Sequence, residues 1–255
     1  MEPSDKPLRG MRAAVLGATS GIGRATAIAM AAAGADVLVH GNRSAAAAEE
    51  LSGTLRATGV RTRVLLADLG DRPAADRFAD EAWRTWGGLD AWLHIAGADV
   101  LTGPGAKLSF DEKLDLLWAV DVVATIRLGR EIGRRMKEQG HGAIVTMGWD
   151  QAETGMDGDS GAYFGATKGA IMAFTRSLAL SLAPAVRVNA LAPGWIRTEW
   201  GETAPPEWQD RVLREVPLRR WGTAEDVAGA ACYLVSPSAR FVTGQVVRIN
   251  GGAVR

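Results

Sequence analysis

The stretch AAVLGATSGIGRATAIAMAAAG, residues 13–34, decides the fold. A short apolar run ends in glycines at 17, 21 and 23. Small and apolar residues then follow at helical spacing and close at Gly34. That pattern predicts a buried strand that turns at once into a helix. Such a turn requires glycine on steric grounds alone. It also leaves the first N–H groups of a helix free, at the positive end of the helix dipole, where a phosphate can sit. Gly17, Thr19, Ser20, Gly21, Ile22 and Gly23 are therefore candidates to cradle a pyrophosphate, because the strand-to-helix context that such a turn requires is present.

Outward from this turn, short apolar runs alternate with longer helical patterns. Strands are expected over 13–18, 36–41, 61–68, 90–97, 142–148, 186–193 and 245–250. Helices are expected over 21–34, 45–58, 72–86, 109–139, 161–183 and 224–235, and the Trp- and Pro-rich segment 194–222 reads as irregular. This order predicts an α/β fold, a doubly wound parallel sheet of about seven strands in a single domain. Ligands in such sheets lie at the carboxyl ends of the strands, near the switch in strand order. Residues 1–9 are polar and proline-containing and read as a flexible tail, with the domain running over 10–255.

Composition narrows the function classes. At 47% hydrophobic, 255 residues can bury a large core. Acidic and basic residues number 29 each, so net charge gives no reason to expect nucleic acid or an anionic membrane as partner. Arg134-Arg135 and Arg219-Arg220 read as solvated pairs. The single cysteine, Cys232, permits no internal disulfide and reads as a buried, inert thiol. His40, His94 and His141 lack ligand-like spacing, so no metal site is expected. With no signal-like start and no long apolar run, the cytoplasm is the expected location.

The spacing of Gly17, Gly21 and Gly23 resembles the cofactor turn of the short-chain dehydrogenase/reductase family. Other segments are similar to that family as well. Asp68 and Leu69 look like its adenine-side contact after the third strand. HIAG, 94–97, stands where the family has Asn-Asn-Ala-Gly, with Ala96 and Gly97 matching. NALAPGWIRT, 189–198, resembles its Pro-Gly turn, which implies nicotinamide-side contacts from Pro193, Gly194, Ile196 and Thr198. TGQVVRINGG, 243–252, resembles its closing strand. The resemblance covers residues 10–255 and implies a nicotinamide cofactor, a small-molecule substrate and a homo-oligomer, a tetramer or dimer, formed through the long helices. An acid ending the second strand would favour NAD(H). Gly41 stands there, with Asn42 and Arg43 beside it, so NADP(H) is favoured; the alternative is that Arg43 is a solvated turn residue.

The chemistry is less regular. The family's reductive machinery is a Ser, a Tyr and a Lys, with an Asn in the relay, the Lys favouring the phenolate by its charge. Lys168, in ATKGA, matches the Lys and also implies a ribose contact. The Tyr position, four residues earlier, holds Phe164. The Ser position holds Trp149 and the Asn position Asp121. Tyr163 lies one residue off, turned about 140° from the Lys168 face on ideal helical geometry. Three accounts are open. A bulge at the helix start brings Tyr163 round. Alternatively, Asp121 with Lys168, or Asp150 or Glu153 from the following loop, replaces the acid, or an iminium-like substrate needs none. In the third account the protein binds nucleotide without redox chemistry.

Nine tryptophans complete the reading. Trp83, Trp86, Trp92 and Trp118 read as core. Trp149, Trp195, Trp200, Trp208 and Trp221 lie after the fifth strand or in 194–222, the expected substrate lid, and either face a planar substrate or clamp the lid to the body. Trp149, Asp150, Phe164, Trp195 and Trp200 are the candidate substrate-pocket residues, and Lys168, Asp121 and Tyr163 the candidate catalytic ones. The function expected is an NADP(H)-dependent oxidoreductase acting on a small, aromatic or iminium-like molecule with a non-standard proton donor. A non-catalytic nucleotide-binding or scaffold protein of the same fold is the alternative.

Overall fold

The computed structural model describes residues 6–254. Seven parallel strands stand in the order β3-β2-β1-β4-β5-β6-β7. They are β1 (Arg12–Leu16), β2 (Asp36–Gly41), β3 (Thr62–Leu66), β4 (Ala91–His94), β5 (Gly142–Met147), β6 (Val186–Pro193) and β7 (Val246–Ile249). The order reverses between β1 and β4, so the carboxyl ends of these two strands diverge and open a crevice.

Alternate residues of each buried strand feed two cores, as the two-residue period of a strand requires. Val15, Val37, Leu93 and Val145 pack against α1 (Gly21–Ala32), α2 (Ala45–Arg56) and α9 (Ala224–Val235). Leu16, Leu38, Trp92 and Ile144 pack on the opposite face. That face is covered by α3 (Arg72–Thr85), α5 (Ala124–Gln139) and α6 (Gly158–Leu182). Arg187 ties the far end of β6 to α9: its guanidinium donates to the carbonyls of Leu234, Val235 and Ser236 at 2.5, 3.2 and 3.3 Å. Those carbonyls end α9, where a cation is favoured by the dipole.

Three local differences from the sequence reading have physical causes. The helix expected over 109–139 is broken in two. A Ser109–Glu112 capping box starts α4 (Phe110–Leu117), and a π-helical turn, Trp118–Val123, separates it from α5. Such a turn widens the backbone ladder and re-aims the side chain it carries, here Asp121. The segment 194–222 carries two helices, α7 (Glu199–Thr203) and α8 (Pro206–Glu215), the second opened by proline at its first position. Of the tail expected over 1–9, residues 1–5 lie outside the described residues, and residues 6–9 are docked. Leu8 is buried, and its N–H donates to the Ala33 carbonyl at 3.0 Å. Trp92 is core, as expected, whereas Trp118 is 45% exposed on the π turn.

Candidate active site

The crevice at the strand ends is a cleft of about 710 Å³. One end is built from backbone. Gly17, at φ +75°, has no room for a side chain, since a Cβ would stand 2.7 Å from the Ala96 Cα. A Cβ at Gly23 would stand 2.0 Å from the Gly17 carbonyl oxygen. The turn is thus drawn tight enough for helix α1 to start directly behind β1. Ser20 caps α1 without a side-chain hydrogen bond. The first-turn residues Gly21, Ile22 and Gly23 line the cleft, which leaves it a helix N-terminus able to receive a pyrophosphate. A buried histidine fastens the turn from below. His40 Nδ1 accepts from the Gly17 N–H at 3.2 Å, and its Nε2 donates to the Ala67 carbonyl at 3.1 Å. Burial pushes His40 down to about 4, which keeps the ring neutral and that acceptor available.

The residues expected on the cofactor divide cleanly. Thr19, Ser20, Asn42, Arg43, Asp68, Leu69, Ala96, Gly97, Lys168 and Thr198 line the cleft together with the glycine turn. Pro193, Gly194 and Ile196 do not. Gly194 backs onto Asp150 and Asn250, and Ile196 is buried in a bridge to Gly222. Gly41 faces Thr19: a Cβ there would lie 2.7 Å from the Thr19 Cγ2. No acidic side chain fits at that strand end without displacing Thr19.

At the other end of the cleft, α6 presents Phe164 and Lys168. Lys168 Nζ donates to Asp121 Oδ2 at 2.7 Å, and Asp121 Oδ1 accepts from the Ala98 N–H at 2.8 Å. Asp121 is buried, and the Lys168 side chain is 11% exposed. The ion pair therefore closes across the π turn, α6 and the loop after β4. Tyr163 is elsewhere. The helix is regular α from Gly158, with no bulge to swing residue 163 round. Its ring packs with Val100 and Leu117, and its hydroxyl meets Ser160 Oγ at 2.9 Å. Tyr163 thus lies outside the cleft, and Phe164 occupies the face shared with Lys168.

The other candidates spread out. Trp149 meets Phe164 edge-on at 6.2 Å. Asp150 is buried beneath the Pro-Gly turn, where its Oδ2 accepts from Asn250 Nδ2 at 3.1 Å. Burial pushes its carboxyl up to about 6. Glu153 is bound to Arg176 and Arg248 at the surface. Trp195, Trp200, Trp208 and Trp221 pack on one another, with ring centroids 5.4–6.4 Å apart. Arg211 lies over Trp195 and Trp208. Trp200 alone of these four lines the cleft.

Sequence reasoning gave no role to three cleft residues, His40, Asp99 and Glu199, or to His94, which is buried and not part of the cleft lining. His40 is visible in the sequence only as the residue before the strand-end Gly41. Asp99 and Glu199 stand at the cleft with no cation paired to them among the described residues. His94, at the end of β4, is fully buried with neither ring nitrogen bonded, and burial pushes it down to about 3. Among the described residues, no cluster of His, Cys, Asp or Glu is arranged to hold a metal ion.

Comparison with known proteins places this geometry. Residues 17–254 match the family model described as Enoyl-(Acyl carrier protein) reductase. A cyclohexanol dehydrogenase from Rhodococcus sp. (strain TK6) is 34% identical over 263 residues, covering 96% of this chain and 97% of that protein. The crystal structure of a short chain dehydrogenase from Burkholderia cenocepacia J2315 in complex with NADP is 31% identical. It covers 97% of this chain and 99% of its own, with a TM-score of 0.87. A 7α-hydroxysteroid dehydrogenase complexed with NADH and 7-oxo glycochenodeoxycholic acid is 27% identical. It covers 100% of this chain and 98% of its own, with a TM-score of 0.89.

Proposed function

Because the chain belongs to the short-chain dehydrogenase/reductase family, we propose that it is an NADP(H)-dependent oxidoreductase of a small organic substrate, working without a tyrosine acid. The observation that carries this reading is Lys168. It stands at the floor of one continuous cleft whose far end is a glycine turn that no Cβ can enter. The turn and the start of α1 would hold the pyrophosphate, Asp68 and Leu69 the adenine side, and Lys168 and Thr198 the nicotinamide side. The cofactor, when bound, supplies or takes a hydride. The protein's part is to orient it, exclude water and manage charge. With Phe164 unable to donate, this end of the cleft offers the Lys168–Asp121 ion pair and no phenol.

Preference for NADP(H) is supported by the crowding of Gly41 against Thr19, together with Asn42 and Arg43 on the cleft wall. Segment 194–222 acts as the lid, with its tryptophans clamping α7 and α8 to each other. Assembly as a dimer or tetramer through α4, α5 and α6 is supported by Phe110 and Trp118. These large apolar side chains are 38% and 45% exposed. Among the described residues, no helix is long and apolar enough to cross a membrane. We place the protein in the cytoplasm.

The test is titration of NADPH and NADH, read as energy transfer from tryptophan to nicotinamide. NADPH binds at least about tenfold more tightly than NADH, and Arg43→Ala erases most of that margin, as loss of a charge-assisted phosphate contact should. Equal affinities would remove the NADP(H) assignment. A second reading, nucleotide binding without turnover, is favoured by one observation: Lys168 is already engaged by Asp121, with no phenol beside it. Tight NADPH binding with no oxidation by ketones, quinones or iminium ions would support that reading.

A further inference from the structure

Resting on the reductase reading, we propose that the substrate end of the cleft takes a planar organic cation of the iminium class, in which a carbon is doubly bonded to a fully substituted, positively charged nitrogen. Three independent features converge on this class.

The first is the missing donor. Reduction of a ketone places a full negative charge on oxygen, which an enzyme must meet with a donor aimed at that atom. Phe164 occupies the helix position that shares the Lys168 face, and its ring has no proton to give. Tyr163, which carries the phenol nearest in sequence, is bonded to Ser160 and buried away from the cleft. An iminium carbon makes no such demand. NADPH supplies one hydride with its two electrons, the π pair of the carbon–nitrogen double bond withdraws onto nitrogen, and a neutral amine and NADP⁺ result. No proton is taken up and no anion forms.

The second is charge. A lone ammonium beside the reacting carbon would repel a cation. Here Asp121 stands 2.7 Å from Lys168 Nζ and cancels it. Beyond that neutral pair, the cleft carries Asp99 and Glu199, both exposed and neither paired with a cation among the described residues. Arg43, the remaining cation on the wall, belongs to the opposite, cofactor end. The substrate end therefore has an excess of negative charge, which draws in and retains a cation.

The third is shape. Phe164 and Trp200 line this end, and Trp149 supports Phe164 edge-on. Aromatic faces hold flat cations through the ring quadrupole as well as through burial.

The test uses the N-methyl dihydroisoquinolinium cation and α-tetralone, a neutral ketone of nearly the same shape. Binding to the chain alone is read first, by quenching of tryptophan emission. The cation binds at least about tenfold more tightly, and Glu199→Gln removes about three- to fivefold of that advantage, in line with a partly screened carboxylate. NADPH consumption is read next. The cation is reduced with a kcat/KM at least about 10²-fold above the ketone's, which is the loss expected for a carbonyl without its acid. Its rate is flat with pH because no proton enters the step. Phe164→Tyr, which installs a phenol beside Lys168, raises ketone reduction by about tenfold or more and so narrows the cation's advantage over the ketone. If the ketone binds and reacts as well as the cation, the iminium assignment is overturned while the reductase reading stands. If NADPH binds but neither compound oxidises it, the reductase reading falls and the substrate class falls with it.

Discussion

The two ends of the cleft are built from different materials. At the cofactor end the decisive contacts are backbone against backbone: Gly17 against Ala96, Gly23 against the Gly17 carbonyl. At the substrate end they are side chain against side chain across long stretches of sequence, as with Lys168 and Asp121, 47 residues apart. A backbone cradle admits one residue type and fails when it changes. A side-chain constellation can exchange members and keep its shape. The first end is therefore fixed by its glycines, and the second by which side chains meet across the fold.

The sharpest way to break this contrast is Gly23→Ala. The added methyl would sit 2.0 Å from the Gly17 carbonyl oxygen, which is backbone and cannot swing aside. The turn must open, so NADPH affinity is expected to fall by at least about 10²-fold and stability by roughly 3 kcal/mol. Nucleotide titration and urea unfolding check both. Retained affinity would mean the turn is not the phosphate cradle.

Next comes Lys168→Met, which strands the Asp121 carboxylate with only the Ala98 N–H. Breaking one side of a buried ion pair destabilises by about 3–5 kcal/mol, whereas removing both charges together is close to neutral. The double variant Lys168→Met, Asp121→Leu is therefore expected to recover most of the loss in urea unfolding. Failure to recover would mean that the two charges do not act as a unit in holding α6 to the π turn.

Asp150 supplies a smaller, pH-dependent effect. Its carboxyl is pushed up to about 6 by burial, from 3.8. Between those values the folded chain keeps a proton that the unfolded chain releases. The group's contribution is thus full below about pH 4, drains away as pH rises, and is gone above about 6. Asp150→Asn keeps an oxygen for Asn250 and avoids the buried charge. It is expected to stabilise the fold at pH 8 by at most about 2–3 kcal/mol and to change little near pH 4. Denaturant midpoints at the two pH values decide it, and an equal gain at both would refute the buried-charge explanation. His40 and His94 act in the opposite sense. Their rings are held neutral in the fold, so stability falls as pH drops from about 6.5 towards 4 for His40 and towards 3 for His94.

The same division governs what was legible from residues alone. Strand and helix order, the parallel sheet and the glycine turn follow from local periodicity and sterics, and β2 and α9 carry the expected bounds. The helix over 109–139 read as unbroken because a π turn leaves no mark in apolar spacing, and it is this turn that carries Asp121. Helices α7 and α8 of segment 194–222 are short, and tertiary tryptophan contacts hold them more than propensity does. Pairing of Trp200 with the cleft, and of Trp195 with the other tryptophans, depends on how those helices fold back. The bond from His40 to Gly17 joins two strands 23 residues apart, and no single-segment pattern reports it.

Tyr163→Phe should have the smallest effect, and it bears most directly on the contrast. The hydroxyl makes one bond, to Ser160, on a ring that is 2% exposed and packed with Val100 and Leu117. Its removal is expected to cost about 0.5–1.5 kcal/mol, the net worth of a neutral hydrogen bond, because the apolar contacts of the ring survive. Turnover is expected to fall by less than about tenfold, whereas an essential proton donor would cost at least about 10²-fold. Steady-state kcat, measured beside the urea midpoint, separates the two. A loss of 10²-fold with unchanged stability would mean that α6 rearranges on binding to bring Tyr163 round. The substrate end would then have kept the family's acid and merely hidden it. A small loss in both would mean that this end manages its charge through Lys168 and Asp121, with the Phe164 ring on the helix face it shares with Lys168.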